Sequence, residues 1–286
     1  MIKKYKVLVI GHRGLVGKDI FNKFKKKNNF LVKGISSKEI NFLKENSIKK
    51  LKKYHKYEIL IFCSAIKSDF GNNFKNLEQN ITMINNFVKG IKIDKIKKLI
   101  YLSSNAVYGV HLNHKNINEK GPLVSDTPYS LSKYYSEKIL EMTFKNNLKK
   151  LVIIRPTTIF GSNEKILANN PYGFFYKMMK RNKIKLWGNG DEIREFLYVE
   201  DLSKIIYHII KKNFFGILNI GGFKSSYINI IKKISKMYNL NGNIVFQKRT
   251  TKKVNKSYNS NLLRKLYPSF RITSLESSLK KLKIKD

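Results

Sequence analysis

The sequence predicts an α/β fold built on a doubly wound parallel sheet, and three observations predict it. Short apolar runs alternate with helical stretches through the first half of the chain. The first run ends in glycines that open a helix. Several later runs are apolar enough to be buried on both faces, as strands of parallel sheets are. Strands and helices alternating at this spacing build right-handed βαβ units.

The elements follow in order. KVLVIG (6–11) is a β-rich run ending in glycine. HRGLVGKDIFNKFKKK is a loop opening into a helix, with Ile20, Phe21 and Phe24 on one side. FLVKGIS (30–36) is the second strand, SIKKLKKYHKY (47–57) a basic helix and EILIFCSA (58–65) the third strand. NLEQNITMINNFVKGIK (76–92) is an amphipathic helix and KKLIYLSS (97–104) the fourth strand. SLSKYYSEKILEMTFKNN (130–147) is a long helix and KLVIIRP (150–156) the fifth strand. Beyond about residue 160 the alternation loosens. GSNEKILANNPYG is loop-like, FFYKMMKRNKI a helix and LWGNGDEIREFLYVEDL a mixture of turn and strand. SKIIYHIIKK is a helix, ILNIGG a short strand, and the remainder mostly helical. The expected organisation is residues 1–160 as one domain, with 195–222 contributing to it, and 161–286 as a smaller, discontinuous lobe.

Composition narrows the class. A length of 286 residues suits one large domain or two smaller ones. The formal net charge of +39 would attract anions, but the basic residues run the whole length. Lys, Asn, Ile, Phe and Tyr, all abundant here, share codons rich in A and T, so the charge reads as composition. No concentrated basic element with interleaved aromatic residues points to a specific nucleic acid. A single cysteine, Cys63, leaves no disulfide framework. The early run VLVI is too short for a secretory leader, and no stretch approaches the roughly 18 apolar residues of a membrane span. A cytoplasmic protein with no membrane partner is expected.

Three clusters carry chemistry. Gly11, Gly14 and Gly17 follow the first strand and open the first helix. Glycines there permit a tight turn and let backbone N–H groups approach a pyrophosphate at the helix N-terminus. An acid about 20 positions after such a loop would hold the ribose hydroxyls of NAD. Here the second strand runs into Ser36, Ser37 and Lys38, with no acid before Glu39. Ser36, Lys38 and Arg13 suit a 2′-phosphate, so NADP(H) is preferred and NAD(H) is the alternative.

The third cluster is SSNAVYG (103–109), directly after the fourth strand, with Ser103 or Ser104 aimed into the cleft. Tyr129 follows at the start of a helix, with Lys133 one turn on. Three other tyrosines, Tyr134, Tyr176 and Tyr207, also have a lysine four residues on. Only Tyr129/Lys133 follows a strand-end serine pair within one βα connection.

With these motifs in order, the chain resembles an extended short-chain dehydrogenase/reductase of the NAD-dependent epimerase/dehydratase family, which acts mostly on nucleotide sugars. The resemblance runs through GHRGLVG, LSSNAVYG, NEKGPLVSDTPYSLSK, IIRPTTIFG, WGNGDEIREFLYVEDL and LNIGG. It implies a Rossmann-type sheet with a C-terminal substrate-binding lobe. It implies Tyr129 as general acid/base and Ser104 as hydrogen-bond partner of the same sugar oxygen. Lys133 would bind the nicotinamide ribose and lower the tyrosine pKa. Asn80 matches a family asparagine near the cofactor. Arg194, and less directly Arg249, match positions that meet the nucleotide diphosphate. Asp201 matches an acid with an organising role near a helix start, and Arg155 reads as structural. Family members often form homodimers through two helices per subunit, here 76–92 and 130–147.

Departures from the family pattern restrict the reaction. Sugar 4,6-dehydratases carry an Asp-Glu pair where this chain has Asn105 and Ala106. GDP-fucose synthases have a cysteine just after the serine, and here Cys63 lies on the third strand. Two reactions at carbon 4 of a nucleoside-diphosphate sugar remain, a 4-ketoreductase, which is favoured, and a redox-neutral 4-epimerase with tightly bound NAD. A non-catalytic nucleotide-binding protein is the remote alternative.

Overall fold

The computed structural model describes residues 4–162, 164 and 168–283. Positions 163 and 165–167 of the expected loop GSNEKILANNPYG, and 284–286 of the lysine-rich tail, lie outside the described residues. The chain divides into two compact units. One comprises Met1–Val110, Gly121–Arg155 and Leu202–Leu218; the other comprises His111–Lys120, Pro156–Asp201 and Asn219–Asp286. The excursion of His111–Lys120 into the second unit departs from the expected boundary, and the returning segment is Leu202–Leu218, shorter than the 195–222 expected.

The first unit is a Rossmann-type α/β layer structure around a six-stranded sheet. Across the sheet the strands lie in the order Gly216–Ile220, Leu151–Pro156, Lys98–Leu102, Ile59–Phe62, Tyr5–Ile10 and Phe30–Ile35. Tyr5–Ile10 pairs in parallel with Phe30–Ile35 on one side and Ile59–Phe62 on the other. The chain therefore reverses its direction across the sheet at the first strand, and a crevice opens beyond the carboxyl ends of these strands. Apolar runs drive this layer. Val7 to Ile10, Ile59 to Phe62 and Leu151 to Ile154 are all buried. Each such side chain contributes about 1.5–3 kcal/mol on leaving water.

Two long helices cover the sheet. Phe74–Gly90 is started by Asn73, whose Oδ1 accepts the Asn76 N–H at 2.9 Å. Its Ile84 and Phe87 face the core, and the Phe87 ring lies 4.7 Å from Phe62. Pro128–Thr143 starts with proline in its first turn and a reciprocal cap between Thr127 and Ser130. The basic run 47–57, expected as one helix, is α-helical only over Glu45–Ile48 and then a 3₁₀ helix over Lys49–Tyr54. Its buried side chains Ile48 and Leu51 are three apart, the spacing that a three-residue turn stacks on one face.

The second unit holds three small sheets. Ile193–Tyr198 lies between Phe223–Ser226, antiparallel, and Thr158–Phe160, parallel. Lys183–Trp187 pairs with Asn243–Gln247, and His114–Ile117 with Lys256–Tyr258, both in parallel. The expectation that the remainder after residue 222 is mostly helical is thus corrected by three strands, Phe223–Ser226, Asn243–Gln247 and Lys256–Tyr258. Each is short and pairs with a segment distant in sequence, so packing and not local pattern makes it a strand. Among the described residues no helix is long and apolar enough to cross a membrane.

One buried cation ties the sheet of the first unit to a helix. Lys98 is buried, and its ammonium donates to the carbonyls of Ile209, Lys212 and Phe214 at 2.9, 2.9 and 3.0 Å. These carbonyls close the C-terminal end of the helix Val199–Lys211, where backbone acceptors lack partners and the helix dipole is negative. Burial lowers the Lys98 pKa, but three acceptors hold the group. Lys98→Met is expected to destabilise the protein by about 1–3 kcal/mol, the cost of leaving buried acceptors unmet. Urea denaturation at neutral pH checks this; an unchanged midpoint would remove the cap from the account.

Candidate active site

The glycine loop forms as its spacing predicts, for reasons that differ at each position. Gly11 has φ +86°, and a Cβ there would lie 2.8 Å from the Ser64 hydroxyl, on the neighbouring strand end. Gly17 admits no Cβ because the Gly11 carbonyl oxygen would be 2.3 Å away. Gly14 is open, its nearest neighbour being the same oxygen at 3.5 Å, and it caps Leu15–Lys25 without any side-chain hydrogen bond. The first-turn N–H groups of that helix thus point into a cradle with no side chain in it. That geometry fits a dinucleotide pyrophosphate.

A further glycine was missed by the sequence reading. Gly34, in the second strand, lies under the His12 ring, and a Cβ on it would come within 2.4 Å of that ring. Its signal in the sequence is only a glycine inside a strand. His12 Nδ1 is buried here without a hydrogen-bond partner.

The ribose end corrects one expectation. Glu39 lies beyond the second strand in sequence, yet the turn 36–40 folds its carboxylate back to the strand end. Glu39 Oε2 accepts the Ser36 N–H at 2.7 Å and the Ser36 hydroxyl at 2.6 Å. The Ser36 hydrogen bond, the largest cause, holds the Glu39 pKa below the usual range, and Arg13 adds to it from 3.8 Å. An acid therefore stands at the strand end, and Ser36 spends its hydroxyl on that acid. Arg13 and Lys38 remain exposed.

Asn80 holds the loop after the third strand. Its side chain accepts the Ile66 N–H at 2.8 Å and donates to the Ile66 carbonyl at 2.9 Å and the Ser132 hydroxyl at 3.3 Å. It shapes the crevice wall through that loop.

Ser104, Tyr129 and Lys133 come together. Ser104 is the N-cap of the 3₁₀ turn Asn105–Tyr108, its hydroxyl accepting the Ala106 N–H at 3.1 Å. The Tyr129 phenol lies near the same hydroxyl, which acts to lower its pKa. Burial pushes the Tyr129 pKa up to about 12, with Ser104 opposing and Asp69 assisting the rise. Lys133 is buried, donates to the Leu102 carbonyl at 2.7 Å and lies 6.0 Å from the Tyr129 ring centre. Burial lowers its own pKa to about 8, with Glu137 and Cys63 opposing. The expected lowering of the Tyr129 pKa combines Lys133 with a positively charged nicotinamide; among the protein's own groups burial dominates and keeps the value raised. Lys133 is turned to a carbonyl. At neutral pH the phenol is protonated, a donor, and a further positive charge is needed to make it a base.

In two of the other pairs the lysine is engaged by a neighbouring group. Lys138 is bonded to Glu141 at 2.8 Å, and Lys211 sits over its own Tyr207 ring at 4.8 Å. Arg155 is buried in an ion pair with Glu137 at 2.6 Å, the structural role expected of it. Asp201 is fully buried and accepts the Thr273 N–H at 2.7 Å and hydroxyl at 2.8 Å, an organising role whose partner lies far along the chain.

In the second unit Arg194 and Arg249 converge on one carboxylate. Glu192 pairs with Arg194 at 3.1 Å and with Arg249 through its other oxygen. Arg194 also donates to the Val254 carbonyl, and Arg249 lies 3.7 Å from Asp191. Both arginine side chains are about one-fifth exposed. Glu192 was not singled out from the sequence; its only signal was its place two residues before Arg194.

The sequence model of the NAD dependent epimerase/dehydratase family matches residues 7–221, three quarters of the chain. The chain belongs to that family. It is similar to the GDP-L-colitose synthase of Yersinia pseudotuberculosis, 26% identical over 271 residues that cover 85% of each protein. It is also similar to the dTDP-D-glucose 4,6-dehydratase of Dictyostelium discoideum, 28% identical over 269 residues, 80% of this chain and 61% of that one. The structure superposes on the UDP-glucuronic acid 4-epimerase of Bacillus cereus in complex with NAD, with TM-score 0.82, 21% identity and 96% of each chain covered. It superposes equally on the UDP-glucose 4-epimerase of Bifidobacterium longum in complex with NAD+ and UDP, with TM-score 0.82, 18% identity and 96% of each chain covered. These likenesses show the fold; dehydratases, epimerases and synthases of the family all share it.

In this family member the buried lysine weakens the fold that holds it. Lys133 titrates near 8 in the folded protein, against an ordinary value of 10.5. Between those values the unfolded chain binds more protons, so stability from this group rises with pH across that window. Its cost is full below pH 8 and gone above 10.5. Lys133→Met is expected to be more stable than the parent at pH 7, by on the order of 1–3 kcal/mol, with the gap closing towards pH 10.5. Urea denaturation at pH 7 and pH 10 measures it; a less stable variant at pH 7 would contradict the burial argument.

Proposed function

We propose that this enzyme transfers hydride at carbon 4 of a nucleoside-diphosphate sugar, as a 4-ketoreductase using NADPH. The observation that carries the reaction class is the Tyr129 phenol beside Ser104, one helical turn from the buried Lys133. A phenol held protonated at neutral pH is suited to donate to the oxygen of a keto sugar as that oxygen gains charge. Ser104, fixed by its own cap bond, orients the phenol and shares the sugar oxygen. Lys133 supplies positive charge against the developing phenolate and a donor for a ribose hydroxyl. The residues that would hold the dinucleotide are Gly11, Gly14 and Gly17 at the pyrophosphate, Arg13 and Lys38 at the adenosine ribose, and Lys133 at the nicotinamide ribose. The bound nicotinamide supplies the hydride and, when oxidised, the positive charge that the protein's own groups lack.

Arg194 and Arg249 are proposed to receive the sugar nucleotide's diphosphate. Glu192 engages both guanidinium groups, and with Lys253 on Asp191 three cations against two carboxylates leave a net positive charge for a phosphate pair. NADP(H) is supported by exposed Arg13 and Lys38, whose two charges exceed that of Glu39. A second reading, a 4-epimerase with tightly held NAD, is favoured by Glu39 itself. An ionised carboxylate at the strand end accepts from ribose hydroxyls and repels a 2′-phosphate. A homodimer is proposed from the exposed Tyr135 and Met142, seven apart on the helix Pro128–Thr143. Sedimentation equilibrium checks it, a monomer at micromolar concentration counting against it.

Cofactor identity separates the two reactions. Protein denatured after purification is assayed for released nicotinamide dinucleotide, and emptied protein is titrated with NADPH and NADH. An empty site preferring NADPH, with Glu39→Gln binding NADPH more tightly, is the expected outcome. NAD that survives dialysis would instead establish the redox-neutral cycle. In either case Tyr129→Phe is expected to lower kcat at least 100-fold with cofactor affinity nearly unchanged, since general acid catalysis is worth that much; retained turnover would refute the assignment. Arg194→Ala is expected to raise KM for the sugar nucleotide about tenfold or more with a small effect on kcat, in keeping with loss of a charge-assisted bond. An unchanged KM would move the diphosphate site elsewhere.

A further inference from the structure

Ser104 must hold one position to serve Tyr129, yet it sits in a short turn just past a strand end. Such a turn has few bonds of its own. The segment is held from beneath by four buried side chains, none more than 5% exposed: Ser103, Tyr108, Glu137 and Arg155. Ser103 donates its hydroxyl to Glu137 Oε1. Arg155 donates to the same oxygen from Nε at 3.1 Å and to Glu137 Oε2 from its terminal nitrogen at 2.6 Å. Its other terminal nitrogen donates to the Tyr108 hydroxyl at 2.8 Å. The Ser103 N–H is tied to the Ile154 carbonyl at 2.8 Å, one residue from Arg155.

The arrangement has a direction. Ser103 precedes Ser104, and Tyr108 ends the 3₁₀ turn that Ser104 caps. One ion pair therefore grips both ends of the six-residue stretch, Ser103 to Tyr108, that carries Ser104. The pair is rigid because its two-pronged geometry satisfies both carboxylate oxygens at once. Glu137 also lies two turns beyond Tyr129 on the same helix face, so the ion pair joins the element bearing Tyr129 to the element bearing Ser104.

We propose that Glu137 and Arg155, acting through Ser103 and Tyr108, are positioning residues that set the Ser104 hydroxyl against the Tyr129 phenol. None of the four is a catalytic residue. The inference rests on the reading of Tyr129 as the acid/base, and it adds a device on which that reading depends. A network serving only fold stability would change melting and leave turnover by the folded enzyme alone.

The test uses variants that keep the ion pair, because Glu137→Gln would strand a buried guanidinium and risks not folding. Ser103→Ala and Tyr108→Phe each remove one grip. Hydrogen exchange is measured on the full chain over amides 104–109, together with kcat, KM and NADPH affinity; UDP-glucose, UDP-glucuronic acid and a 4-keto-6-deoxy sugar nucleotide are the probes. Both variants are expected to speed exchange at 104–109 about tenfold, with the Phe74–Gly90 helix unchanged. They are expected to lower kcat about tenfold, with NADPH affinity within twofold of the parent. Ser103→Thr, which restores the hydroxyl, is expected to recover both. Unchanged local exchange, or faster exchange with unchanged kcat, overturns the proposal. If Tyr129→Phe turns over normally, the acid/base reading fails first, and the positioning role fails with it. If Tyr129→Phe is inactive while Ser103→Ala and Tyr108→Phe are normal, only the positioning role fails.

Discussion

The buried ion pair between Glu137 and Arg155 is the constraint around which the first unit is arranged. Two charges removed from water cost several kcal/mol each unless geometry and hydrogen bonding offset the loss. Here both carboxylate oxygens and several guanidinium donors are engaged, so the pair tolerates little displacement. That intolerance sets the rotation of the helix Pro128–Thr143 about its axis. Tyr129, Lys133 and Glu137 are four apart in turn and share one face. Once Glu137 is pointed at the last residue before Pro156, Lys133 and Tyr129 must face the carboxyl ends of the strands. Lys133 then reaches the Leu102 carbonyl and lies close to Tyr129.

The same helix shows how a polar face is buried without penalty. Ser130, Ser132, Ser136, Lys133 and Glu137 are all buried, which no simple apolar stripe would predict. Small hydroxyls solve it locally. Ser132 and Ser136 donate back to the Tyr129 and Ser132 carbonyls of their own helix, both at 2.7 Å. Ser132 also receives Asn80 from the neighbouring helix, so this contact at once joins two helices and shapes the loop after the third strand. Lys98 follows the same principle at the opposite end of its strand, where three helix-end carbonyls take one ammonium. Lys133 is the exception. It has fewer acceptors and a lowered pKa, as a group held for its chemistry and not for stability.

Much of the site was legible because its chemistry needs fixed spacings along one element or one connection. Gly11, Gly14 and Gly17, the Ser104 position after its strand, and the Tyr129/Lys133 turn are local patterns, and the structure brings each to the crevice end of the sheet. The four tyrosine–lysine pairs share one spacing, and only their neighbours in sequence set Tyr129/Lys133 apart. Residues that act across distance were not legible. Glu39 looked too late to serve the second strand, because a turn that folds a side chain back on Ser36 leaves no periodic signal. Glu192 and Gly34 matter through Arg249 and His12, contacts that no spacing encodes.

Sequence alone determined the parallel α/β layer, because strands buried on both faces must be continuously apolar and the helices between them amphipathic. It also placed Tyr129 and Lys133 one helical turn apart on one face. Tertiary structure decided the rest. Three short strands of the last third exist only through partners distant in sequence. The excursion of His111–Lys120 into the second unit has the same origin. Burial, a property of the packed chain and not of any residue's neighbours in sequence, likewise raises the pKa of Tyr129 and lowers that of Lys133.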